Sequence, residues 1–100
     1  MSRLPGQELI ERGLVDLEAG HVSPEALLVA IGAPRLANLG LEVPLNTPLA
    51  PEQALYRLLR DREGVAAHGT YLSLIRRLES FERALEHQRA VQARAAAAQH

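Results

Sequence analysis

Apolar residues recur along this chain at spacings of three and four, which predicts four α-helical stretches. The first covers residues 7–19. Leu9, Ile10, Leu14 and Leu17 share one face, while Glu8, Arg12 and Asp16 recur at spacing four on another, as a solvated ion-pair ladder. Gly20 supplies its stop. The second start is the clearest in the chain. Ser23-Pro24-Glu25 offers a capping hydroxyl, a proline at the first helical position and an acid in the first turn. Leu27, Leu28 and Ile31 follow as its apolar run. Gly32-Ala33-Pro34 then predicts a break, because proline disfavours helix in the residue before it. A short helical piece over 34–39 resumes and ends on Gly40.

Residues 41–50 read as a loop stiffened by Pro44 and Pro48, with Leu41, Leu45 and Leu49 expected to pack down on the domain. Pro51-Glu52 opens the third helix, over 51–63. Leu55, Leu58 and Leu59 face inward, Arg57 and Asp61 pair outside, and Gly64 ends it. The last helix starts between residues 66 and 70 and is the longest. Its seam, Tyr71, Leu74, Leu78, Phe81 and Leu85, has coiled-coil spacing, broadened by Leu72 and Ile75. Beyond Leu85 the seam positions become Gln88, Gln92 and Ala95. Residues 90–100 are therefore expected to be an Ala-rich, fraying helical tail on a single domain of residues 1–89.

Composition strengthens this all-α reading of a small helical bundle. The 100 residues suit one domain. There are 18 Leu and 16 Ala, both strong helix formers, against six Val, three Ile, two Tyr and one Phe. Cysteine is absent, which excludes disulfides, zinc–thiolate clusters and a thiol nucleophile. No run approaches the roughly 18 apolar residues of a membrane span, and Pro5-Gly6 interrupts any signal-like start, so a cytoplasmic protein is expected. All 11 basic residues are Arg, which with the alanine excess fits GC-rich bacterial codon usage. Residues 1–50 carry three Arg and six acids, and residues 51–100 carry eight Arg and six acids, so the halves hold −3 and +2. That asymmetry is too mild for a nucleic-acid footprint.

Most chemistry lacks its residues. The histidines are His21, His68, His87 and His100; only Glu18 and His21 have the Glu-x-x-His spacing of a di-iron bundle, and no second copy exists. No serine or threonine stands in a nucleophile elbow, and the glycines stand singly rather than as a phosphate loop. No cofactor or metal is implied. Residues 25–41 resemble a helix-turn-helix superficially, but the piece carrying Arg35 and Asn38 is too short to read a groove. Arg76, Arg77, Arg83, Arg89 and Arg94 are interleaved with Glu79, Glu82 and Glu86, a solvated face rather than an RNA surface.

Arg62-Glu63-Gly64-Val65-Ala66-Ala67-His68 resembles the Arg-x4–6-His motif of HEPN-type ribonucleases, small helical bundles that act as dimers. That resemblance implies metal-independent RNA cleavage with Arg62 and His68 as the catalytic pair. Glu63 departs from the small polar residue which that family favours after its arginine. The primary expectation is different: a non-enzymatic interaction or accessory protein acting through helix–helix association, with a homodimer or another protein as partner. Its interface would lie on Tyr71, Leu74, Leu78, Phe81 and Leu85, left partly uncovered by three short helices.

Overall fold

The structure, a computed structural model, describes residues 3–45 and 47–98. Met1, Ser2, Asn46, Gln99 and His100, and the parts of the loop, tail and histidine readings that fall on them, lie outside the described residues. The fold is all-α. In chain order α1 is Gln7–Glu18, α2 is Pro24–Asn38, α3 is Pro51–Glu63 and α4 is Ala67–Ala98, with a 3-10 turn, Gly64–Ala66, joining the last two. The first, third and fourth helices fall where periodicity places them.

The first two helices are joined at two points. Gly13 is buried, and a Cβ there would stand 2.3 Å from the Glu25 carbonyl oxygen, so α1 and α2 meet at a distance only glycine permits. Ser23 caps α2: its hydroxyl accepts from the Ala26 N–H at 3.0 Å and donates to Asp16 Oδ2 at 2.7 Å, tying the cap to α1. Gly20 and Gly40 close α1 and α2 in left-handed backbone, with His21 N–H donating to the Asp16 carbonyl and Leu41 N–H to that of Leu36.

The expected break at Pro34 is absent: α2 runs unbroken through it. Proline removes the N–H that would reach Ala30 and crowds that turn. Tertiary packing overrides the local cost. Leu36 is wholly buried, and continuing the helix keeps it in line with Val29 and Gly32 toward the core. The ring of Pro34 itself faces solvent.

The core gathers Ile10 and Leu17 of α1, Leu27, Leu28, Val29 and Leu36 of α2, Leu55 and Leu59 of α3, and Leu78, Phe81 and Leu85 of α4. The loop packs only in part. Leu41 and Val43 alternate inward, as extended chain allows, but a bend at Leu45 turns the chain out, leaving Leu45 and Leu49 101% and 93% exposed. Thr47 and Pro48, both half-buried, bring the chain back to border a hollow shared with Leu17, Val22 and Leu27. The Glu8–Arg12–Asp16 ladder does not form either. Glu8 and Glu11 pair with Arg3 instead, and Asp16 is taken by the Ser23 hydroxyl. Hydrogen bonds from Gln7 and Arg3 hold the Glu11 carboxyl below its ordinary range. On α3 and α4, Arg57–Asp61, Arg76–Glu79 and Glu79–Arg83 are not in ion-pair contact, as befits exposed pairs of little net worth. From residue 86 to 98, α4 is helical and exposed throughout, which draws the molecule out to 55 × 26 × 22 Å.

Candidate functional site

The chain turns at Gly64 and brings the start of α4 back against α3. Leu55 and Leu59 are buried from α3 and Ala67 from α4. Tyr56, one residue on from Leu55, lies at the edge of that contact. Its ring meets the Tyr71 ring edge to face, centroids 5.5 Å apart, and that of His68 at 6.2 Å. Beside this cluster lies a groove of about 700 Å³, lined by Glu52, Gln53, Tyr56, Arg57, Arg60, Asp61 and Tyr71. It is a trough along the outer face of α3 rather than an enclosed chamber; its charged walls are exposed and its two tyrosines half-buried. Arg57 and Arg60 have no carboxylate within ion-pair distance among the described residues. The four charges balance, two arginines against Glu52 and Asp61.

The residues singled out from sequence are distributed unevenly around this groove. Tyr71 lines it, and Leu74 is half-buried next along the seam. Leu78, Phe81 and Leu85 are 3–4% exposed, covered by the chain's own helices. The seam is thus closed over most of its length, with Leu78 against Gly32 of α2 and Phe81 against Gly6, the residue that precedes α1. Arg62 and His68 stand on opposite sides of the Gly64 turn, both exposed, with no hydrogen bond between them. The side chain that shares the Tyr56 face is Arg60, one helical turn on, not Arg62. Ser73 and Ser80 lie on the solvent side of α4, and Glu18 and His21 flank the end of α1. Among the described residues no three His, Asp or Glu side chains converge as a metal cage.

A second polar constellation joins α2 to α4. Glu82 is 8% exposed, with its carboxylate lying against α2 at Gly32. Arg35 spans it, Nε 3.8 Å from Glu82 and Nη2 2.8 Å from Glu86. Burial pushes the Glu82 carboxyl above the ordinary glutamate range; the Arg35 charge opposes that rise and Glu79 adds to it. A turn further on, Arg89 Nε donates to the Leu39 carbonyl at 3.1 Å, meeting the exposed end of α2 with a cation. Sequence periodicity places Glu82 on a solvated face. The signal that points to its burial is the pairing of Gly32 with Arg35 one turn later, a gap and a cation on one face of α2.

Set against family models, curated proteins and solved structures, the chain matches none.

Proposed function

We propose that this protein is a non-enzymatic interaction module that acts through helix–helix association, with a second copy of the chain as its partner. The observation that carries this reading is the open trough on α3, with half-buried Tyr56 and Tyr71 beside arginines that have no ion-pair partner among the described residues. Tyrosine and arginine are the side chains that most often anchor protein interfaces. An open trough with balanced charges suits a flat helical surface of balanced charge better than a small ligand, which needs to be largely enclosed. The interface therefore shifts from the seam over 71–85 to the face where α3 meets the first turns of α4; Tyr71 belongs to both. One helix face offers less than the roughly 800 Å² per partner of a standard interface, so the association is weak and concentration-dependent. Sedimentation equilibrium of the full chain across the micromolar range tests it. A monomer–dimer equilibrium is the expected outcome. A monomer at every concentration overturns the reading.

A further inference from the structure

The outer ridge of α3 has a charge pattern that is its own complement. Glu52, Tyr56 and Arg60 follow one another at spacing four, so they form a single ridge along the helix, and all three line the groove. Read in the opposite chain direction, the ridge exchanges an acid for a base about a central aromatic ring. We infer that two copies of this chain pair antiparallel through α3, about a two-fold axis passing Tyr56. That register stacks Tyr56 on Tyr56 of the second copy, in the trough that Tyr71 walls. It also sets Glu52 opposite Arg60 of the second copy, and Arg60 opposite Glu52 of the second copy, because the two charges lie equally far from the axis. An isologous contact makes each off-axis pairing twice and the on-axis pairing once, so one ridge supplies two ion pairs and one aromatic pair.

Several features suit α3 to this role. Among the described residues, Arg60 has no carboxylate partner within its own chain and Glu52 has no cation. The residues that flank the ridge, Leu55 and Leu59, are fully buried in the core, so the ridge is presented on a fixed backbone. In the parallel alternative, Glu52 meets Glu52 and Arg60 meets Arg60, a repulsive arrangement at both ends. The register rests on the self-association proposed above, and it can fail separately from it.

A charge swap tests it, on exposed side chains whose replacement leaves the core untouched. Arg60→Glu puts two acids opposite each other at both ends of the pair, and Glu52→Arg puts two bases there. Each variant alone is expected to lose dimerisation by about tenfold or more. Mixed in equal amounts, the two variants restore both ion pairs, and a heterodimer is expected within about threefold of the wild-type affinity. Labelling one variant and following it by sedimentation velocity reads the heterodimer directly. Arg12→Glu, an equal charge change on α1, is the control and leaves association unchanged. A wild-type chain that dimerises while both single variants dimerise equally well overturns the register but not the association. The register also falls, and the association stands, if both variants are weakened and mixing them restores nothing. A wild-type chain that never dimerises overturns both.

Discussion

The α1–α2 pair and the α3–α4 pair, the second drawn out by the 32-residue α4, differ in how they close. The first closes on backbone: Gly13 lets two helices touch, and Ser23 ties the cap of one to an acid of the other. The second closes on side chains. Two tyrosines and a histidine meet edge to face at its rim, and its outer wall stays open and charged. A contact made through backbone tolerates no change of shape. A contact made through large side chains leaves a trough beside them. The difference leaves α1 and α2 closed tightly on each other and α3 with an open, charged outer face.

The sharpest way to break that contrast is to enlarge its tightest point. Gly13→Ala drives a methyl group into the Glu25 carbonyl and forces α1 off α2, with an expected loss of about 3 kcal/mol in urea denaturation. Ser23→Ala removes the α2 cap and its tie to Asp16 together, for about 1–2 kcal/mol by the same measurement. At the joint between the two pairs the expected effect is smaller and depends on pH. The folded chain holds the Glu82 proton more tightly than the unfolded chain does, so its contribution is full below the ordinary value of 4.5 and is lost as pH rises through the raised value. Glu82→Gln is expected to flatten that decline and to leave the denaturation midpoint at pH 7 unchanged or higher; a clear drop would show that the Arg35 bridge outweighs the cost of burying the charge. The smallest effect lies at the entrance to α3. Ala50 precedes Pro51 in left-handed backbone, φ 48°, and Ala50→Gly is expected to raise the thermal midpoint by the equivalent of about 0.5–1 kcal/mol.

The fold was legible in the sequence wherever local chemistry and core packing agree. Ser23-Pro24-Glu25, Pro51-Glu52, Gly20, Gly40 and Gly64 each mark a boundary that the structure keeps. Legibility fails where packing outweighs local preference. Pro34 is a breaker on local grounds, yet Leu36 beyond it has a place in the core that only a continued helix reaches. Leu45 and Leu49 are apolar and still exposed, because the bend at Leu45 decides their side and no periodicity announces it. The site was legible only at its margin. Tyr71 could be placed on a face in advance, but its meeting with Tyr56 depends on how the Gly64 turn sets one helix against the other. The Arg62–His68 pattern is a spacing along the chain, and a turn between the two residues gives that spacing no common face.

The bare C-terminal stretch of α4 has a hydrodynamic consequence. A body 55 Å long and little more than 20 Å across meets more friction than a sphere of its mass. In gel filtration a single chain will therefore elute early, toward the position of a compact pair, and drag alone will imitate association. Equilibrium sedimentation and light scattering contain no friction term and read mass directly. Shortening α4 at residue 89 should shift elution toward that of a sphere by more than the nominal mass removed, while the groove on α3 stays intact.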